Sequence, residues 1–246
     1  MAKLLIFNWK MNPGTFKEAE KILGESIILE ESSDKYEIAV CPPSLWLFDL
    51  SQKYAGKITF GSQDVFGGDP LSGKGASTGE ISAEMLKNSK VEYIIVGHSE
   101  RRRYENETDE MISKKTEVGL KAGFKVILCV GEDLNTHSQG PEAVKSFIKD
   151  QLEKDLENIH NSKFIIHNSL IVAYEPIWAI GTGIPENPES AALMAKYIKE
   201  AVGAQVLYGG SVDGKNIGNF IKYEEIDGFL IGGASLSPAQ FGGQLN

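Results

Sequence analysis

Three groups of polar residues stand where apolar, β-rich runs end, and together they could move a proton. Asn8 and Lys10 follow residues 4–7, His98-Ser99-Glu100 follows residues 93–96, and Glu175 follows residues 170–174 just before a loop from Pro176 to Gly183. A carboxylate base, an imidazole and a fixed cation suffice to shift a proton beside a carbonyl without metal or cofactor. Taken singly, each has a plainer reading: Glu175 as a solvated loop carboxylate, Lys10 as a surface lysine among acidic neighbours, His98 as a hydrogen-bonded buried histidine. Glu100 reads more readily as structural than as catalytic.

Glycine adds a second signal. Gly181-Thr182-Gly183, Gly209-Gly210-Ser211 and Gly232-Gly233 punctuate the loops after the last three apolar runs. Backbone N–H groups approach an anion closely where no Cβ intervenes, so phosphate is the natural guest of such loops. Turn chemistry is the alternative, because glycine also turns corners for steric reasons alone.

The elements that must position these groups are legible as an alternation. Apolar runs at 4–7, 38–41, 58–60, 93–96, 126–130, 170–174, 206–208 and 229–231 predict eight strands. Helical patterns lie between them, clearest at 16–29, 45–54, 109–122, 141–159 and 188–202, with shorter ones at 82–88, 215–223 and after Pro238. Runs such as Val126-Ile127-Leu128-Cys129-Val130 are apolar at every position, as parallel strands buried on both faces require. The reading is α/β, with residues 1–246 forming a single (β/α)8-barrel domain; an open doubly wound sheet is the rival. That rival normally carries GxGxxG after its first strand, where this chain has Asn8-Trp9-Lys10-Met11-Asn12-Pro13-Gly14. In a barrel the functional loops are those following the strands, so the three polar groups share one mouth.

Composition narrows the function further. The 246 residues carry a formal charge of −9, which opposes non-specific binding to nucleic acid. No apolar run approaches the roughly 20 residues of a membrane span. The start lacks the features of a secretory signal, so the expected location is cytoplasmic. Cys41 and Cys129 end apolar runs and read as core thiols rather than a disulfide framework. His98, His137, His160 and His167 show no ligand spacing, so neither metal nor cofactor is expected.

Five segments resemble the triosephosphate isomerase family, in order and at compatible spacing. They are Asn8-Trp9-Lys10-Met11-Asn12, the stretch 96–102 around His98-Ser99-Glu100, the stretch 173–183 around Glu175-Pro176-Ile177-Trp178, Tyr208-Gly209-Gly210-Ser211-Val212, and the stretch 227–236 around Gly232-Gly233. The resemblance implies a TIM barrel that interconverts dihydroxyacetone phosphate and glyceraldehyde 3-phosphate through an enediolate. It implies Glu175 as base, His98 as electrophile, Lys10 and Asn8 as stabilisers of the developing charge, and Glu100 in the hydrogen-bond network near Lys10. A neutral imidazole at a helix N-terminus is also implied, a property for which this family is itself the standing example. The loop from Pro176 to Gly183 resembles the family's lid, with Gly181, Ser211, Gly232 and Gly233 gripping the phosphate. Loop 64–80 resembles the arm that reaches a partner subunit, implying a homodimer.

Departures from the family's pattern are equally specific. Phe7 stands where a small residue is usual, Ile184-Pro185-Glu186 replaces a Lys-Thr-Ala type hinge, and Glu105-Asn106 replaces an aromatic-Gly pair. Loop 64–80 is longer and richer in glycine, and Pro185 is expected to alter lid opening. Another phosphate-binding barrel enzyme would explain the glycines but not Glu175-Pro176-Ile177-Trp178. A scaffold without activity would be expected to have lost Asn8, Lys10, His98 or Glu175, and all four are present.

Overall fold

The computed structural model of the chain describes residues 2–68, 74–159, 169–182 and 185–244. Eight strands pair in sequence order: β1 (Lys3–Asn8), β2 (Tyr36–Cys41), β3 (Thr59–Ser62), β4 (Tyr93–Val96), β5 (Lys125–Val130), β6 (Leu170–Tyr174), β7 (Gln205–Tyr208) and β8 (Gly228–Ile231). All pairings are parallel, and β8 closes on β1. The architecture is therefore the (β/α)8 barrel and not the open sheet.

The pleat explains why the strands are apolar throughout. Alternate residues point to opposite faces, so one strand feeds two cores. Leu4, Ile6, Ile127, Cys129, Ala173 and Leu207 fill the barrel interior. Their neighbours Leu5, Phe7, Val126, Leu128, Val172 and Tyr208 pack outward against the helices.

Strand β3 covers Thr59–Ser62 rather than the expected 58–60. Gly61 and Ser62 complete the ladder to Tyr93 and Ile94, although neither residue type favours a strand. The interior decides this placement: a Cβ at Gly61 would lie 2.4 Å from Cys41 Sγ and 3.2 Å from Tyr93 Cβ. The bulk that Gly61 lacks is supplied by the buried ring of Tyr93.

The outer layer is built from helices with good caps. Thr15, Thr108 and Asn187 accept backbone N–H groups at the starts of Phe16–Glu31, Asp109–Lys121 and Pro188–Val202. The expected helix over 141–159 stops at Asp155, followed by a 3-10 turn at Glu157–Ile159. Asp155 is fully buried there and bonds Arg102. Ser82 serves as the cap of Ala83–Asn88, the 215–223 pattern shortens to Ile217–Ile221, and the chain after Pro238 forms a 3-10 turn. Sequence periodicity missed the one-turn helix Leu134–His137, capped by Asp133.

Two of the departures have local explanations. Phe7 is fully buried, with its ring 5.8 Å from that of Phe241, so the C-terminal turn provides its pocket. Asn106 has φ 57°, a left-handed conformation that asparagine tolerates better than most residues and that glycine would otherwise supply. Among the described residues, no helix is long and apolar enough to cross a membrane.

Candidate active site

The C-terminal ends of the strands gather the expected residues at one mouth. Asn8, Lys10, His98, Glu175, Gly181, Ser211, Gly232 and Gly233 all line a cavity of about 230 Å³. Glu100 stands just outside it, on helix Ser99–Tyr104, with Oε1 2.6 Å from Lys10 Nζ.

Alternation along β1 carries Asn8 inward after Leu4 and Ile6, and Asn8 is buried. Two residues later Lys10 adopts φ 54°, a sparsely populated region for a residue with a Cβ. Two side chains hold it there. The Lys10 N–H donates to Asn8 Oδ1 at 3.0 Å, and Gln63 Nε2 donates to Lys10 O and Cys41 O, each at 2.9 Å. Gly232 leaves room for the side chain, since a Cβ there would come within 2.9 Å of Lys10 Cε. Sequence analysis did not single out Gln63; an amide side chain directly after a strand end was its one available signal.

Glu175 is 2% exposed, and both its oxygens are engaged. Oε2 accepts the Ser99 N–H at 3.1 Å, and Oε1 lies 3.2 Å from His98 Nε2. The Glu100 N–H donates to His98 Nδ1 at 3.2 Å, so Nδ1 is unprotonated and the ring's N–H is at Nε2. The start of a helix thereby fixes the tautomer and aims an N–H donor at the cavity. Beneath this pair lies Cys129, whose thiol is pushed well up by burial, with the charge of Glu175 adding to the effect.

The loop after β6 is docked at several points. Its 3-10 turn Ile177–Ala179 leads to Gly181, at φ 69°. Ser211, expected at the phosphate, donates its hydroxyl to Ala179 O at 2.6 Å in this state. Trp178 Nε1 donates to Glu132 Oε1 at 2.8 Å, and the Glu186 N–H donates to the Tyr208 hydroxyl at 3.1 Å. Glu132 was not singled out from sequence, although it stands two residues past β5, near the kind of place that marks Glu175. Gly183, Ile184, His160, His167 and residues 69–73 of the third loop lie outside the described residues.

Comparison with known proteins settles what family this geometry belongs to. The family model described as triosephosphate isomerase matches residues 3–245. The triosephosphate isomerase of Aquifex aeolicus is 38% identical over 98% of this chain and 97% of its own length. That of Alkaliphilus metalliredigens is 40% identical, covering 97% and 96%, and that of Synechocystis is 39% identical, covering 100% and 99%. The chain belongs to the triosephosphate isomerase family. As a triosephosphate isomerase it interconverts triose phosphates, three-carbon substrates that carry both a carbonyl and a phosphate. The lining of its mouth divides by element. Asn8, Lys10, His98 and Glu175 come from β1, β4 and β6, and the glycine-rich loops follow β6, β7 and β8.

Proposed function

We propose that this isomerase uses Glu175 as its base and His98 as its electrophile. The substrate carbonyl takes the His98 Nε2–H that now donates to Glu175, so binding exchanges one hydrogen bond for another and frees the carboxylate. Glu175 then removes the proton from the adjacent carbon, and His98, Lys10 and Asn8 stabilise the oxygen charge of the enediolate. The proton returns to the neighbouring carbon, and His98 moves protons between the two oxygens. Glu100 orients the Lys10 ammonium rather than touching substrate. Backbone N–H groups of Gly181, Gly232 and Gly233, with Ser211, hold the phosphate. The loop beginning at Pro176 acts as a lid; excluding water strengthens each electrostatic contact and protects the enediolate.

The observation carrying this reading is the buried Glu175–His98 pair, whose tautomer is fixed by the Glu100 amide. A coupled assay of glyceraldehyde 3-phosphate conversion should show turnover by the wild type and a loss of about 10²–10⁴-fold in Glu175→Gln. Near-normal turnover in the variant would overturn the assignment of the base.

The barrel of residues 1–246 is taken as one functional domain, working as a homodimer through loop 64–80. Supporting the dimer, Met11, Leu45 and Tyr104 are 95%, 73% and 64% exposed on segments following β1, β2 and β4. A cytoplasmic location is in keeping with two buried, unlinked thiols.

A further inference from the structure

The ladder between β4 and β5 stops just short of His98, and one side chain takes over from it. The two strands stay in register from Tyr93 and Lys125 to Val96 and Leu128, so Gly97 stands level with Cys129. The Lys125 N–H, which donates to Glu92 O at 2.9 Å, sets the phase of the ladder. Continued in that phase, the His98 N–H would donate to Cys129 O and the Gly131 N–H to His98 O. Neither bond is made, because the chain turns at Gly97, at φ 70°, and enters helix Ser99–Tyr104. His98 O accepts the Arg101 and Arg102 N–H groups instead, at 2.8 and 3.2 Å. The Gly131 N–H donates to Gln151 Oε1 at 2.9 Å.

Arg102 lies one helical turn beyond His98, and its guanidinium occupies the gap. Nε donates to Gly97 O at 2.9 Å, and Nη2 donates to Cys129 O at 3.1 Å. Gly97 and Cys129 are both buried, so either carbonyl left unpaired would be costly. Two carboxylates hold the guanidinium in place. Nη1 donates to Asp109 Oδ1 at 2.7 Å, and Nη2 also bonds Asp155, fully buried at the end of helix Pro141–Asp155. The fit leaves little play, since a Cβ at Gly97 would lie 3.0 Å from Nη2 and 3.1 Å from Ile112 Cγ2. A planar fork with fixed N–H directions can span two carbonyls in this way, whereas an ammonium acts as a point charge.

The two carbonyls belong to the backbone that carries the reacting groups. Gly97 is joined to His98, and Cys129 pairs with Ala173, two residues before Glu175. We propose that Arg102, anchored by Asp155, is a positioning residue for the isomerase reaction: by tying Gly97 to Cys129 it sets the His98 ring against the Glu175 carboxylate, now 3.2 Å apart. This rests on reading His98 as the electrophile. Arg102 does not line the mouth, so it acts through His98 and not on the substrate. Loss of the tie lets the strand ends part, and a displacement of about 1 Å at a reacting group costs about 10²-fold in rate. The phosphate loops follow β6, β7 and β8, which Arg102 does not tie, so their grip is kept.

The test compares wild type with Arg102→Lys, which keeps a positive charge beside Asp109 and Asp155 but not the fork. At a temperature where thermal unfolding shows both proteins folded, two readings are taken. One is kcat and KM for glyceraldehyde 3-phosphate; the other is the ring-nitrogen NMR resonances of His98, assigned by their loss in His98→Gln. The expected result is a kcat lower by about 10²-fold with KM unchanged, and His98 resonances displaced from those of the wild-type tautomer. A merely structural role predicts a lower unfolding midpoint with kcat and the resonances unmoved, and that result overturns the proposal. So does a fall in kcat with the resonances unmoved, because the loss then reaches the reaction by another route. If Arg102→Lys does not fold, Asp155→Asn takes the same readings: it keeps an oxygen for Nη2 but not the buried charge, so Asp109 draws the guanidinium off Cys129 O. Both readings should move in the same directions, and wild-type values for either overturn the proposal. Full turnover by His98→Gln would instead count against His98 as the electrophile, while the resonances of Arg102→Lys still read whether Arg102 places the ring.

Discussion

Lys10 Nζ is paired with Glu100 before any substrate arrives, and its backbone is held in a left-handed conformation by Asn8 and Gln63. The two features serve one end, which is to fix an ammonium at a set point on the rim of a largely buried mouth. Glu100 is 42% exposed in its side chain, so the ion pair itself contributes little to stability. Lys10→Met should therefore separate stability from catalysis. Thermal unfolding should move by less than about 1 kcal/mol equivalent. Loss of a preorganised charge at a developing oxyanion should lower kcat by about 10²–10³-fold, with KM raised as well. Unchanged kinetics would return Lys10 to the role of a surface lysine. The same scale shows why Gln63 escaped sequence reading: its function is to bond two carbonyls, and only the folded backbone reveals which carbonyls those are.

Gly61, Cys41 and Tyr93 form a packing unit across three adjacent strands, with small residues on β2 and β3 making room for the large ring on β4. Gly61→Ala should lower stability by about 1–3 kcal/mol through overpacking, measurable by denaturant unfolding. Adding Cys41→Ala should recover much of that loss, because the nearest clash is with the Cys41 sulfur. Additive losses would show that backbone strain at 61, and not the clash, sets the effect. The expectation for β3 erred for the same reason. Strand propensity favoured Ile58-Thr59-Phe60, whereas the ladder to β4 and the interior volume drew in Gly61 and Ser62. Elsewhere, periodicity located all eight strands, because each strand serves two cores and carries an uninterrupted apolar signal. Helix ends were less legible where a buried polar contact, such as Asp155 with Arg102, interrupts an apolar pattern. Asn8, Lys10, His98 and Glu175 were legible because each stands at a strand's end or within two residues of it. Glu132 draws its importance from accepting the Trp178 Nε1–H and the Tyr174 hydroxyl, a convergence that no spacing along the chain encodes.

At the scale of the whole molecule, the exposed Met11, Leu45 and Tyr104 argue for a covered surface. Light scattering at micromolar concentration should return twice the 26.9 kDa chain mass. A monomeric mass would overturn the dimer and leave those side chains in water.

The two sulfurs carry a separate consequence. Cys41 and Cys129 are the chain's only cysteines, neither has exposed surface, and burial holds both thiols far from ionisation. An alkylating reagent can then react only after the barrel opens. The protein carries its own clock: in excess reagent, both sulfurs should be modified together, at the rate of global unfolding, with no singly labelled species accumulating. Mass spectrometry over hours would read that clock directly, with no dye or added label on the native chain.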